Sequence, residues 1–273
     1  MNKKFSVAIC VYGKDNSEWF ELAVQSILNQ TIKPNEVVLV VDGPVPEELS
    51  KVIKKYEQLD YFRVIWLPTN MGHGNARRIG MENTVNELVA LMDADDISLP
   101  NRFEQQLKYY EDNPELDIVG GDIAEFVGVE SNVIGKRVVP KTDKEIKDYL
   151  KKRCPFNQVT VMFKKSAVMA VGGYLDWFCE EDYYLWIRMF LDNAVFANTG
   201  TVLVNVRVGK DLYARRGGIK YFLSEAKLQK YMYKKNIIGF SRSFINITQR
   251  LILQVLMPNW CRAIVFKTLV RSR

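Results

Sequence analysis

Four short runs dominated by Val, Ile and Leu limit the folds open to this chain: Phe5–Tyr12, Glu36–Asp42, Phe62–Leu67 and Glu87–Asp93. Near-continuous apolar runs of this length suit strands covered on both faces. Helical stretches separate them. The first carries Trp19, Phe20, Ala23, Val24, Ile27 and Leu28 as one apolar stripe, with Asp15, Asn16 and Ser17 as candidate N-caps. A second covers Glu47–Gln58 and a third begins near Gly74. The β-α-β-α-β-α-β order predicts an α/β fold with a mainly parallel sheet and helices on both faces. In such sheets ligands bind beyond the carboxyl ends of the strands.

Those ends are polar here. The runs finish at Val11-Tyr12, at Asp42-Gly43, at Pro68-Thr69-Asn70, and at the cluster Asp93, Asp95 and Asp96. A single Asp at a strand end commonly caps a turn. Three so close repel one another unless a cation or basic ligand offsets them. Mg²⁺ and Mn²⁺ favour hard oxygen ligands and complete their shells with phosphate oxygens. The cluster therefore predicts a metal–diphosphate ligand.

Composition bounds the alternatives. Hydrophobic residues make up 48% and charged residues 26% of 273, enough for a sizeable core. Cys10, Cys154, Cys179 and Cys261 share no metal or redox spacing, and read as free thiols in a reducing compartment. The N-terminal apolar run is too short for a secretory core. No segment reaches the roughly 18 apolar residues of a membrane span. The expectation is a cytoplasmic protein without transmembrane helices. His73 is the lone histidine, which excludes a multi-histidine metal site, and no G-x-S-x-G or G-x-G-x-x-G is present.

Charge is unevenly placed. No Asp or Glu follows Glu225, and that tail holds ten basic residues; without them the net charge of +6 becomes −4 for residues 1–225. The tail reads as helical over 219–236, apolar over 244–257, and striped again over 260–270. Trp and basic residues beside an apolar stripe suit the surface of an anionic bilayer. Packing on the rest of the chain or self-association is the alternative. Nothing resembles a nucleic-acid module.

Several segments, taken in order, resemble a family 2 glycosyltransferase of GT-A fold over about residues 3–210: SVAICVYG, SILNQT, EVVLVVDGP, NMGHGNARRIG, ALMDADDISLPNRFEQQL, GGY and EEDYYLWIRM. The run VRVGKDLYARRGG resembles a bacterial subgroup that builds capsule, exopolysaccharide or lipopolysaccharide glycans. The resemblance implies a nucleotide-sugar-binding half (1–125), an acceptor-binding half (126–210) and a C-terminal helical basic region (211–273) in possible membrane contact. It implies an inverting hexosyl- or N-acetylhexosaminyltransferase that uses a nucleotide sugar, usually of UDP, with Mn²⁺ or Mg²⁺, on a glycan or lipid-linked acceptor. The expected location is the inner face of the cell membrane.

Roles carry over residue by residue. Asp42 would meet the nucleotide base, with Val11 and Tyr12 in the same pocket. Asn70, Gly72, Asp93 and Ala94 would also contact the nucleotide sugar. Arg77 would lie toward the nucleotide and diphosphate. Asp95 would ligate the metal with Asp93. Asp182 would be the catalytic base, with Glu181 a lesser candidate. Taken alone, Glu181-Asp182 could simply cap a helix start. Like charges raise the pKa of Asp182 and the helix start lowers it. Tyr174, Trp177 and Glu180 are acceptor candidates, although aromatics there also suit a core. Arg207, Arg215 and Arg216 could close over diphosphate or simply be solvated. An inactive nucleotide- or glycan-binding scaffold and a sugar nucleotidyltransferase are the competing readings; the latter lacks its Gly-rich loop after the first strand.

Overall fold

The structure is a computed structural model and describes residues 3–209 and 217–258. Its first half alternates as the apolar runs predict: β1 (Phe5–Tyr12), α1 (Ser17–Leu28), β2 (Glu36–Asp42), α2 (Glu47–Tyr56), β3 (Phe62–Trp66), α3 (His73–Glu82) and β4 (Leu88–Met92). Asn16 is the cap of α1; its side-chain oxygen accepts from the backbone N–H of Glu18 at 2.9 Å and Trp19 at 3.0 Å. The four strands are parallel in the order β3-β2-β1-β4. The β1–β2 register pairs Tyr12 with Asp42, so both ends open on one rim.

The second half extends this sheet: β5 (Ile97–Ser98), α4 (Arg102–Asp112), β6 (Ile118–Phe126), β7 (Val133–Arg137), α5 (Asp143–Leu150), β8 (Met162–Lys164), α6 (Lys165–Ala170), α7 (Glu181–Leu191) and β9 (Phe196–Arg207). Strand β8 joins the halves, antiparallel to both β4 and β6. The path continues β6-β9-β5, and β7 pairs with β6. One sheet thus runs through the 125/126 division, which falls inside β6.

Each face of the sheet buries its own core. Phe20, Val24 and Ile27 of α1 pack with Leu49 and Ile53 of α2 and Phe103 of α4 on one face. The other buries Met81 of α3, Ile146 of α5, Val168 of α6 and Leu185, Trp186 and Met189 of α7. Helix α8 (Ile219–Lys234) adds Leu228 and Met232 to that second core. Helix α9 (Phe240–Leu251) follows it and ends in a π-helical turn over Ile252–Leu256. The described part of the C-terminal region therefore packs on the α/β domain through α8. The stripe expected over 260–270 lies outside the described residues.

Candidate active site

The rim is built by loops locked to strand ends. Asp42 is buried, and its two carboxylate oxygens accept from the backbone N–H of Met71 at 2.6 Å and Gly72 at 3.1 Å. The Asn70 amide donates to the Asp42 carbonyl at 3.1 Å. Asp42 thus fixes the loop into α3, and any contact with a nucleotide base would use its remaining lone pairs. Gly43 makes the close approach possible: φ is +87°, and a Cβ there would stand 2.6 Å from the Asn70 nitrogen. Val11 is buried beneath the rim and Tyr12 is exposed on it.

Arg77 projects from α3 into the centre. It is 7% exposed, with Nη2 2.6 Å from Asp93 Oδ1 and Nη1 3.7 Å from Glu181 Oε1. Burial alone would push the Asp93 pKa up; the Arg77 guanidinium, aided by His73 and Arg102, outweighs it and holds the carboxyl below its usual range. The same arginine lowers the pKa of His73, the first residue of α3. Beneath the aspartates, the fully buried Arg102 donates to the Leu91 carbonyl of β4 at 2.8 Å. Arg77 therefore clamps the acidic rim to α7, the helix that bears the expected base.

The acidic cluster is larger than the sequence motif. Asp15 accepts from the Tyr12 N–H at 2.9 Å, and its pKa is pushed up to about 6 by burial and by the charges of Asp95 and Asp93. Burial and the same two neighbours raise Asp96 well above the carboxylate range. Sequence reading placed Asp15 only as a helix cap; α1 uses Asn16 instead, which leaves Asp15 facing the rim. Ala94 is buried between Asp93 and Asp95. Among the described residues no three His, Cys, Asp or Glu side chains form a ready cation cage. The donor set fits a divalent ion that takes one or two carboxylates from Asp95 and Asp93 and the rest of its shell from phosphate and water. Besides burial, the charges of Asp95 and Asp93 raise Asp15 and Asp96, and such an ion would offset those charges.

Opposite this rim, α7 starts with Glu181 and Asp182 in its first turn. Asp182 Oδ1 accepts from the Tyr183 N–H at 2.6 Å, and the Cys154 thiol points at Oδ2 from 3.9 Å. Burial outweighs the helix-start hydrogen bonds and the arginines, and raises the Asp182 pKa. Burial and Asp182 raise Glu181 likewise. Glu180 is buried; burial and the neighbouring Glu225 of α8 push its pKa well up. Glu225 pairs with Arg250 of α9. A cavity of about 760 Å³ includes Asp93, Asp96, Glu180 and Asp182 among its lining residues.

Other expected site residues sit elsewhere. Tyr174 is 1% exposed, accepts from Gln158 Nε2 at 2.9 Å and packs edge-on to Trp186; it supports the site from the core. Trp177 stacks against Tyr184 and donates to the Ser224 carbonyl at 3.3 Å, so it docks α8. Neither is among the described residues lining the cavity. Arg207 ends β9 rather than lying on a loop. Its backbone N–H donates to Asp96 at 2.8 Å, and its guanidinium donates to the carbonyls of Asp95 at 3.1 Å and Gly128 at 2.7 Å. The rings of Trp19 and Phe126 lie on it, each 4.6 Å away. Here Arg207 braces the aspartate loop; reaching a diphosphate would require it to leave these contacts. Arg215 and Arg216 lie outside the described residues.

A parallel half-sheet with an acidic rim faces an acid-led helix across a cavity, and solved structures of GT-A glycosyltransferases share this fold. S. aureus TarS 1–349 in complex with UDP-GlcNAc superposes with a TM-score of 0.66 at 15% identity, over 91% of this chain and 72% of that one. The chain spans 43% of a longer TarS chain. Mannosyltransferase PcManGT from Pyrobaculum calidifontis, in complex with GDP-Man and Mn²⁺, gives 0.61 at 14% identity, over 95% and 72%. The glycosyl transferase family 2 model matches residues 6–172, and the chain belongs to that family. It is 36% identical over 98% of its length to the UDP-Gal:alpha-D-GlcNAc-diphosphoundecaprenol beta-1,3-galactosyltransferase of Escherichia coli, 97% of which is covered.

Proposed function

We propose that this glycosyltransferase moves a sugar from a UDP-sugar to a lipid-linked saccharide in bacterial surface polysaccharide synthesis, with inversion and with a divalent metal. The placement of Asp182 on the same cavity as Asp93 and Asp96 carries this reading. The similarity to a galactosyltransferase whose named acceptor is a lipid diphosphate sugar supports the donor and acceptor classes.

In this reading the acceptor hydroxyl attacks the anomeric carbon, the bond from that carbon to the diphosphate oxygen breaks, and the hydroxyl proton passes to Asp182. One displacement inverts the centre. A raised pKa makes Asp182 a stronger base once ionised. Arg77 keeps Asp93 ionised and ties it to α7. A bound Mn²⁺ or Mg²⁺ would supply charge stabilisation for the leaving diphosphate, held by Asp95 with Asp93. The carboxylates divide into a metal set and a base set, unlike the pair flanking one sugar bond in glycosidases.

Membrane contact belongs to the same proposal. Phe240 and Phe244 lie one turn apart on α9 and are 69% and 62% exposed; Leu256 beyond them is 66% exposed. Among the described residues no helix is long and apolar enough to cross a membrane. An exposed apolar face beside the basic tail suits a bilayer surface, where a lipid-linked acceptor would be met.

The test is UDP release from a panel of UDP-sugars, with and without Mn²⁺ and a lipid-diphosphate sugar acceptor. Metal-dependent release stimulated by acceptor is expected. Tight UDP binding without release from any sugar would favour the inactive scaffold instead.

A further inference from the structure

The cavity beside Asp182 is not uniformly acidic. Arg137 at the end of β7, and Lys152 and Arg153 just after α5, also line it. Basic residues after a helix commonly serve its C-terminal dipole. Here Lys151 does that work nearest the helix and pairs with Asp148 at 3.0 Å. Among the described residues neither Lys152 nor Arg153 has a carboxylate at ion-pair distance, although Glu180, Asp182 and Glu225 line the same cavity.

The turn that carries them is held rigid from outside. Asn246 of α9 donates to the Lys151 carbonyl at 3.0 Å, and Arg250 donates to the Lys152 carbonyl at 3.0 Å. Arg137 donates to the Cys154 carbonyl at 2.8 Å, and the Cys154 thiol points at Asp182. One residue thus separates the basic wall from the expected base. Lys152 and Tyr149 also border a second depression of about 540 Å³, which is of mixed charge, with Lys141, Glu145 and Asp148 on its lining. Fixed cations on the same cavity as a proton acceptor match a ligand with a hydroxyl at one end and phosphate at the other.

We propose that Arg137, Lys152 and Arg153 form a second diphosphate site, which holds the diphosphate of the lipid-linked acceptor while Asp182 faces its hydroxyl. This rests on the glycosyl-transfer reading and names the part of the acceptor that the protein recognises.

The test uses full-length protein saturated with UDP and Mn²⁺, so that the donor site is filled. Decyl diphosphate and neutral decyl maltoside are titrated below their micelle concentrations. Wild type is expected to prefer the diphosphate, and K152A/R153A to weaken it by about tenfold or more. Affinity for UDP should be unchanged. The control K51A/K54A removes two exposed lysines of α2 and should bind as wild type. Equal loss in both double variants would reduce the effect to net charge and overturn the site. So would unchanged binding in K152A/R153A, or no preference for diphosphate in wild type. If UDP itself fails to bind, the functional reading falls and takes this inference with it; if UDP binds tightly and decyl diphosphate does not, only this inference falls.

Discussion

Replacing Arg77 with Met removes a guanidinium that faces both halves of the site. Its side chain is 8% exposed, and its partners Asp93 and Glu181 are 29% and 15% exposed. Methionine fills a similar volume but leaves two carboxylates in a poorly solvated place without their cation. Breaking a buried pair from one side costs about 3–5 kcal/mol. The loss should depend on the acid. In Asp93→Asn the guanidinium has less to balance, so R77M should cost less there, with a coupling of about 1–3 kcal/mol in the double-mutant cycle. Urea unfolding at pH 7 without ligands measures all four proteins. The pH dependence gives a second handle. In wild type the Asp93 pKa is depressed on folding, so its contribution is present above the unfolded carboxylate pKa and is lost as pH falls through the folded value. In R77M the same carboxyl would be raised, so the variant should recover part of its deficit as pH falls. An R77M protein within about 1 kcal/mol of wild type, with no coupling to Asp93, would refute the clamp.

Two further outcomes follow from the site and the C-terminal helices. Asp182→Asn should lower turnover by about 10²–10⁴ with UDP affinity nearly unchanged. Because Asp182 is raised above its ordinary value, the acid limb of the wild-type kcat/KM profile should lie above the usual carboxylate range and vanish in the variant; full activity of Asp182→Asn would remove it from the chemistry. Phe240→Ser with Phe244→Ser should reduce flotation with anionic liposomes while leaving the unfolding transition nearly unchanged, since both side chains are exposed; equal flotation would reject the α9 face.

The parts legible in the sequence were those that depend on local pattern. The strands β1 and β2 end where the apolar runs end, and the register of Tyr12 with Asp42 follows from parallel pairing. Asn16 caps α1 because its short side chain reaches back to two free N–H groups. Asp182 falls in the first turn of α7, as the polar-to-apolar change at that point implies. What escaped was the direction of side chains across the fold. Arg207 reads as a loop arginine, yet Asp96, Gly128 and two rings hold it in place. Trp177 reads as an acceptor candidate or as a core aromatic, and it packs against α8. Glu180, Glu225 and Arg250 converge from three helices, and no spacing in the chain announces that meeting. The basic wall was equally silent, because the end of β7 meets the turn after α5 only in the folded chain, where Arg137 donates to the Cys154 carbonyl.

The metal-and-nucleotide rim is tested most directly by calorimetric titration of UDP into wild type, Asp95→Asn and Asp182→Asn, each with and without Mn²⁺. Wild type and Asp182→Asn should bind UDP alike and only weakly without the ion, while Asp95→Asn should lose about tenfold or more of the Mn²⁺-dependent affinity. Equal UDP binding by all three proteins, indifferent to Mn²⁺, would contradict the account.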